Sequence, residues 1–192
     1  MKDVEIPLRK VVDYALTRPE VDPSRLAMYG ISGGGEFVPK SAQYDKRIKA
    51  IAMNSAVVDA YKLFASMPIA SATEDVVKTW STYKQNTVKA IAWRWGVKMD
   101  NIPALVAANK GFEFDPAKIT CPALAIVGEG EYSDKEVQRQ QKEFMDKKGN
   151  PNRKVIVTPA NEGASNHCLT ENRSLMSQVV FDFFDEVFRG GK

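Results

Sequence analysis

The sequence predicts an α/β protein with a mostly parallel sheet and helices on both faces. Short apolar runs of strand length alternate with longer segments of helical periodicity, an order that is typical of parallel strands joined by helices. One apolar run ends in a glycine-rich turn that leads directly into a helix. With 192 residues, of which 44% are hydrophobic, the chain is long enough for one core and an insertion.

The first predicted elements lead up to that turn. Apolar residues at helical spacing predict a helix over residues 4–16, and the run at residues 25–29 predicts the first strand. A helix over residues 34–44 and a strand over residues 48–54 follow the turn. About 24 residues precede the first strand, which leaves room for only one helix before it.

The turn itself, Gly-Ile-Ser-Gly-Gly at residues 30–34, is the most informative motif. A G-x-S-x-G turn between a strand and a helix holds the serine at the apex of a strained bend, because bulky neighbours would collide there. Ser32 is therefore the candidate nucleophile, and the N–H group of Gly33 is the candidate oxyanion donor. A glycine-rich turn without a catalytic role is the alternative interpretation.

Two other glycine-rich signatures do not fit this turn. Dinucleotide binding needs G-x-G-x-x-G, but Ser32 occupies the place of the second glycine. A phosphate-binding loop needs lysine after its last glycine, and here Gly35 is followed by Glu36. We therefore expect no nucleotide cofactor.

A long insertion follows the second strand. Residues 57–114 separate two core segments, residues 1–56 and 115–192, and their pattern is helical. The insertion contains all three tryptophans, Trp80, Trp93 and Trp95. We expect these side chains to form the core of a small helical domain and the insertion to act as a lid over the serine.

The second core segment resumes the alternation. It predicts strands over residues 123–127 and 154–158, and helices over residues 134–147 and 174–188. These elements bring two further polar loops to the carboxyl ends of strands.

His167, the only histidine of the chain, is the candidate base. A serine hydroxyl is a weak nucleophile until an adjacent base accepts its proton. The histidine lies between the last predicted strand and the closing helix, where a chain with a G-x-S-x-G nucleophile places its base. A lone histidine in a purely structural role is the alternative.

An acid that orients the imidazole is expected between the serine and the histidine, in the loop after the third strand. This loop carries three carboxylates, so the motif locates the acid without identifying it. Glu131 is the first choice because it stands three residues past Gly128, the glycine at the end of the strand. Asp134 is the second choice and Glu129 the third; at least two of the three are expected to be solvated or to cap a helix.

Composition excludes several other classes of function. The net charge is only +3, with 27 basic residues interleaved among 24 acidic ones, so nucleic-acid binding is not indicated. No apolar run approaches the ~18 residues of a membrane span. One histidine without a cysteine cluster argues against a metal site, and Cys121 and Cys168 are expected to be reduced. We expect a cytoplasmic protein.

These motifs together resemble the α/β-hydrolase family over essentially the whole chain, although they match only the C-terminal half of that fold. More narrowly, they resemble the branch that contains FrsA-like esterases, 2,6-dihydroxypseudooxynicotine hydrolase and fungal heptaketide hydrolases. The narrower likeness is carried by residues 22–25 before 30–35, 47–50, 119–122 before 128–131, and 163–164 with 167–168. The resemblance implies a small-molecule carbonyl substrate, cleaved at an ester or at a carbon–carbon bond next to a carbonyl.

The resemblance also implies that strands are missing. Complete members have several strands before the nucleophile turn, and a loop among them supplies a second oxyanion donor. The sequence is therefore interpreted as a fragment with a partial α/β-hydrolase fold and little activity of its own; a degenerate relative is the alternative. Its first strand would have an open edge, through which we expect a homo-oligomer. A non-catalytic hydrolase-like binding protein is the competing function.

Overall fold

The computed structural model describes residues 2–98, 101–146 and 150–189. Its strands are β1 (Ala27–Ile31), β2 (Ala50–Asn54), β3 (Ala123–Gly128) and β4 (Arg153–Thr158). Its α-helices are α1 (Glu5–Ala15), α2 (Gly34–Tyr44), α3 (Ala60–Ser66), α4 (Glu74–Lys78), α5 (Thr82–Trp95), α6 (Ile102–Ala107), α7 (Glu129–Tyr132), α8 (Lys135–Asp146) and α9 (Arg173–Arg189). Short 3₁₀ turns occupy Pro23–Arg25, Pro68–Ser71, Pro116–Lys118, Ala160–Glu162 and His167–Leu169.

The chain divides into two compact units. Asp59–Glu113 belong to a helical unit, which contains α3 to α6. The residues from Asp3 to Val58 and from Phe114 onward form a sheet unit, which contains the four strands, α1, α2 and α7 to α9.

The sheet is parallel throughout, in the order β1-β2-β3-β4. Its register aligns Ile31 with Asn54, Asn54 with Ile126, and Gly128 with Thr158. Because parallel strands all end at the same edge of a sheet, the loops after β1, β3 and β4 meet there. All three candidate catalytic side chains lie in those loops or directly after them.

Alternate residues of the central strands face opposite sides of the sheet, and each side has its own core. On one side, Ile51 and Met53 of β2 pack with residues of α1, α2 and α8. On the other side, Leu124 and Ile126 of β3 pack with α9, where Val180 is fully buried. The nearly continuous apolar runs of β2 and β3 thus reflect burial on both faces, as in other parallel sheets. The predicted parallel sheet with helices on both faces is confirmed.

The predicted elements of the sheet unit occur with ends displaced by one or two residues. The largest displacements are two residues, at both ends of β1 and at the start of β2. At the two starts, tight turns occupy residues that were predicted as strand. The turn before β1 is the 3₁₀ segment Pro23–Arg25, and before β2 the Ile48 N–H group donates to the Asp45 carbonyl (3.3 Å). The predicted end of a helix at Lys147 lies outside the described residues.

Two segments that carry the narrower family resemblance have structural roles. Asp22 caps the 3₁₀ turn before β1, since its Oδ1 accepts from the N–H group of Ser24 (2.8 Å) and from its hydroxyl (2.6 Å). The Arg47 guanidinium donates two hydrogen bonds to Asp45 (2.8 and 2.6 Å) and one to Asp13 of α1 (2.8 Å). The guanidinium lowers the pKa of both carboxyls and ties the end of α2 to α1.

The helical unit has a core of its own. Trp80 and Trp95 pack against buried residues of α4, α5 and α6, and Trp95 meets Phe112 edge-on, with ring centroids 5.4 Å apart. Trp93, by contrast, is 81% exposed. Two of the three tryptophans therefore contribute to this core as the sequence suggested, and the lid role of the insertion stays a prediction. Within the described ranges, no helix is long and apolar enough to cross a membrane.

Strand β1 pairs on only one side among the described strands, and an apolar groove runs beside its other edge. Leu26 and three phenylalanines of α9, Phe181, Phe184 and Phe188, line this groove. Phe181 is 64% exposed, and the Arg25 guanidinium lies 5.6 Å from the centre of the Phe188 ring. An open strand edge beside apolar rings favours association with a further chain.

We expect the purified chain to self-associate through this edge. Replacing Phe181 with lysine should shift it toward the monomer, because a charge on the groove opposes burial of the edge. Light scattering over a concentration series measures the change. Tyr83→Lys is the matched control, since Tyr83 is an exposed aromatic residue (82%) of the helical unit. A wild-type chain that stays monomeric at all concentrations would contradict the prediction.

Candidate active site

Ser32 stands at the bend between β1 and α2. Its φ angle of 56° lies in the left-handed region, which is unusual for a residue with a side chain. Two backbone hydrogen bonds hold it there: its N–H group donates to the Asn54 carbonyl at the end of β2, and the Gly35 N–H group donates to the Ser32 carbonyl (2.8 Å each). The hydroxyl is thus presented at the carboxyl edge of the sheet, on an exposed residue.

The glycines of this turn are not equivalent. A Cβ atom on Gly30 would lie 1.9 Å from the Gly34 carbonyl oxygen, and one on Gly35 would lie 2.1 Å from the Ser55 carbonyl oxygen. A Cβ atom on Gly34 would meet nothing within 4 Å. The close approach of α2 to the sheet therefore requires glycine at positions 30 and 35, whereas the last glycine of the G-x-S-x-G pattern has room for a side chain.

Glu131 belongs to α7, the short helix directly after β3. Its side chain is only 14% exposed. Its Oε1 lies 2.7 Å from His167 Nδ1 and also accepts a longer hydrogen bond from the Ser55 hydroxyl (3.4 Å). Its Oε2 is buried without a hydrogen-bond partner among the described residues.

His167 follows β4, and Ser32 follows β1, at the other side of the four-stranded sheet. The histidine nevertheless contacts the serine, because both loops lie at the carboxyl edge. It follows β4 in a loop whose course is set partly by Thr158, the last residue of β4, because the Thr158 hydroxyl donates to the Ala164 carbonyl (2.6 Å). Its Nε2 lies 3.1 Å from Ser32 Oγ. The structure thus brings Ser32, His167 and Glu131 into one hydrogen-bonded chain, in the order that a serine nucleophile, its base and an orienting acid require.

The other two carboxylates of the acid loop have different partners. Glu129 Oε2 accepts from the Ala160 N–H group (2.8 Å) and so ties α7 to the loop after β4. Asp134 Oδ1 accepts from the N–H groups of Glu136 (2.8 Å) and Val137 (3.1 Å) and caps α8. Of the three carboxylates considered from the sequence, Glu131 is the one in contact with the histidine.

The surroundings of His167 favour its charged form. The hydrogen bond with the Cys168 side chain, and after it the hydrogen bond with Glu131, raise the pKa of His167 to about 10, against partial burial, which lowers it. In the charged form each ring nitrogen carries a proton, which fits the contacts of Nδ1 with Glu131 and of Nε2 with Ser32. Loss of the Nε2 proton converts the ring into a base directed at the hydroxyl.

Gly33, the candidate oxyanion donor, is the N-cap residue of α2. After Ser32, the next backbone bond described within this turn is that of the Gly35 N–H group, which donates to the Ser32 carbonyl. The N–H group of Gly33 precedes that bond at the positive end of an 11-residue helix, where an anion is stabilised. The N–H group of Ser32 cannot serve in the same way because it already donates to Asn54.

Sequence reasoning missed the neighbours that hold these groups. Ser55, the residue after β2, contacts Glu131, and Cys168, which stands in a left-handed backbone position (φ 67°), raises the pKa of the histidine. No spacing rule points to Ser55. Cys168 stands next to the histidine in the sequence, so adjacency could have drawn attention to it. Both cysteines are free thiols, and nowhere in the described ranges do three His, Cys, Asp or Glu side chains form a metal-ligand cluster.

The charge of Glu131 has a measurable consequence for His167. Replacing Glu131 with glutamine removes the anionic partner, so we expect the pKa of His167 to fall from about 10 toward its ordinary value of 6.5. An NMR titration measures it without assignment problems because the chain has one histidine. Glu129→Gln, a change of the same charge on the same short helix, should leave the pKa near the wild-type value. Equal shifts in the two variants would contradict this account.

The same shift links folding to pH. The pKa of His167 is higher in the folded state than in the unfolded state, so protonation of the ring favours folding. This contribution to the free energy of unfolding is fully present below about pH 6.5, and it is lost as the pH rises through about 10.

Comparisons with known proteins identify similar folds. No protein-family model matches the chain, and no curated protein matches it. Solved structures do: a 2,6-dihydroxy-pseudo-oxynicotine hydrolase superposes with a TM-score of 0.63 and 17% identity over 98% of this chain and 48% of its own. The α/β-hydrolase GrgF from Penicillium sp. sh18 superposes with a TM-score of 0.57 and 16% identity, over 95% of this chain and 70% of its own.

A third similar structure is MGS-M2, an α/β-hydrolase enzyme from a Medee basin deep-sea metagenome library. It matches with a TM-score of 0.54 and 16% identity, over 94% of this chain and 70% of its own. The chain spans about half the length of the 2,6-dihydroxy-pseudo-oxynicotine hydrolase. At these identities the likeness concerns the fold, and it agrees with the parallel sheet, the glycine-rich turn after β1 and the flanking helices described above. The chain therefore has part of the α/β-hydrolase fold.

Proposed function

We propose that this site is the centre of a serine hydrolase, with Ser32 as nucleophile, His167 as base and Glu131 as the acid that orients it. The observation that carries the proposal is the continuous chain of contacts from Ser32 Oγ to His167 Nε2 (3.1 Å) and from His167 Nδ1 to Glu131 Oε1 (2.7 Å). A hydroxyl, an imidazole and a buried carboxylate in this order activate the hydroxyl for attack on a carbonyl carbon.

The reaction has two halves. In the first, His167 Nε2 takes the hydroxyl proton as Ser32 Oγ forms a bond to the carbonyl carbon, and the Gly33 N–H group stabilises the oxygen that becomes negative. The tetrahedral intermediate collapses, the leaving group departs with the proton held on His167, and an acyl-serine remains. In the second half, water loses its proton to His167 and attacks the acyl carbon, and the proton returns to Ser32 Oγ as the acid product leaves.

The bond that breaks is an ester or a carbon–carbon bond next to a carbonyl. In the first case the proton from His167 goes to an alkoxide oxygen, and in the second it goes to a carbanion that the neighbouring carbonyl stabilises. The name of the structurally similar 2,6-dihydroxy-pseudo-oxynicotine hydrolase supports a hydrolytic reaction. The exposed position of Ser32 and His167 allows a small carbonyl compound to approach the nucleophile.

Covalent labelling tests the proposal without requiring a known substrate. A fluorophosphonate probe, which phosphonylates activated serines, should label the wild-type chain, and mass spectrometry should place the adduct on Ser32. Ser32→Ala should abolish labelling and lower any hydrolysis of an activated ester by about 10⁶-fold, the order of loss seen when a triad nucleophile is removed. The folded structure should be little affected, because Ser32 is exposed and packs against little.

Ser24→Ala serves as the control because it removes another exposed serine of the sheet unit. It should be labelled as the wild type is. If the wild-type chain takes up no probe at Ser32, the hydroxyl is not activated, and the same site is better explained as a ligand-binding site without turnover.

The glycine geometry adds a test of how the nucleophile is held. Gly35→Ala should destabilise the protein by about 1–3 kcal/mol, as overpacking does, and displace Ser32, because the new methyl group would collide with the Ser55 carbonyl. Gly34→Ala, one residue away in the open position, should be neutral or stabilising by about 0.5–1 kcal/mol. Urea unfolding and probe labelling measure the two effects. Similar losses of stability in both variants would contradict the distinction.

A further inference from the structure

Ser165 connects the acid loop to the histidine loop. Its hydroxyl oxygen accepts from the Gly130 N–H group (3.0 Å), and its carbonyl oxygen accepts from the Glu131 N–H group (3.2 Å). Ser165 is two residues before His167, and Glu131 contacts the His167 ring. The acid loop and the histidine loop are therefore joined twice: through the backbone of Glu131, which binds Ser165, and through its side chain, which binds His167.

The acid loop and the histidine loop approach each other so closely that two positions of the acid loop have no room for a side chain. A Cβ atom on Gly128 would lie 2.3 Å from the Ser165 carbonyl oxygen, and one on Gly130 would lie 2.8 Å from the Ser165 hydroxyl and 2.9 Å from its carbonyl oxygen. The glycines on either side of Glu129 thus let the backbones meet.

Glu171 binds the segment that leads from this contact to His167. One of its oxygens, Oε1, accepts from the N–H groups of both Ser165 (2.8 Å) and Asn166 (2.6 Å). These bonds, the one from Asn166 first, lower the pKa of the Glu171 carboxyl, so it is ionised wherever the histidine can act as a base. A single carboxylate oxygen that binds two successive N–H groups restrains the backbone between them.

Among the described residues, no other structural role of Glu171 is evident. It precedes α9, but the helix is capped by its neighbour Asn172, whose Oδ1 accepts from the Leu175 N–H group (3.0 Å). The Glu171 residue is exposed, so it contributes little to the core. Its two described hydrogen bonds go to the segment that leads into His167.

We propose that Glu171 is a positioning residue, whose carboxylate holds the backbone of Ser165 and Asn166 so that the His167 ring meets Glu131 and Ser32 together. The catalytic part of this inference rests on the proposed function, whereas the placement of the ring does not. Glu171 acts through the loop and touches neither the reacting hydroxyl nor the imidazole. Misplacement of a catalytic ring by about 1 Å is enough to lower the rate by about 100-fold.

The single histidine makes the placement directly observable. In the wild-type chain, NMR should show a raised His167 pKa and a downfield Nδ1 proton in its hydrogen bond to Glu131. Glu171→Ala should lower that pKa toward 6.5 and weaken the downfield signal, because a ring that moves away from Glu131 loses its anionic partner. Glu171→Gln keeps an acceptor oxygen at the same place, so it should retain part of both effects.

Glu162→Ala is the matched control, since it removes an exposed carboxylate from the same loop. It should leave the His167 pKa and the Nδ1 signal unchanged. If Glu171→Ala gives the same pKa as Glu162→Ala, the positioning role is overturned. Should Glu171→Ala fail to fold, Glu171→Gln decides: a lower His167 pKa in this folded variant supports the role, and an unchanged pKa and signal overturn it.

Kinetics then separates this inference from the proposed function. If the wild-type chain is labelled at Ser32, Glu171→Ala should lower the rate of labelling by about 10- to 100-fold. If the wild-type chain is not labelled, the proposed hydrolase function fails, while the His167 titration still decides whether Glu171 positions the ring.

Discussion

The site depends first on one backbone contact, the approach of the start of α2 to the end of β2. Gly35 lies so close to the Ser55 carbonyl that a methyl group would overlap it, and the Ser32 N–H group donates to Asn54, one residue earlier. These contacts hold Ser32 in a left-handed backbone conformation and direct its hydroxyl toward the carboxyl edge of the sheet. Strain of this kind persists only where the surrounding structure determines the conformation strongly. Here the parallel pairing of β1 with β2 supplies that structure.

The second requirement is that two loops, after β3 and after β4, reach the serine with compatible geometry. The backbone of the acid loop is bound to Ser165, and the side chain of Glu129 adds a further tie through the N–H group of Ala160. The acid loop therefore carries Glu131 and also binds the histidine loop through its backbone and through Glu129. Glu131 faces the histidine because its neighbours secure the helix on which it stands.

The chemistry of the site follows from a chain of unequal contacts. His167 lies 2.7 Å from an acid that is mostly buried and 3.1 Å from an exposed hydroxyl. The shorter contact fixes the ring and favours its charged form, and the longer one leaves Nε2 directed at the Ser32 hydroxyl. In the proposed reaction, a strong hydrogen bond to the acid and a weaker one to the nucleophile suit a base that must both accept and return a proton within one cycle.

The sequence by itself determined the fold class, and it pointed to Ser32, His167 and the loop of Glu131 as candidates for a catalytic site. Strand and helix periodicity, a turn of defined glycine spacing and a single histidine are local features, and short-range physics is enough to interpret them. Tertiary structure alone decided that Glu131 meets His167 36 residues away, that Ser32 meets it across 135 residues, and that Gly35 rather than Gly34 is the position without room. It also decided the contacts of Ser55, Ser165 and Glu171, because the packing of separate strands and loops sets which side chains touch, and no local spacing encodes that.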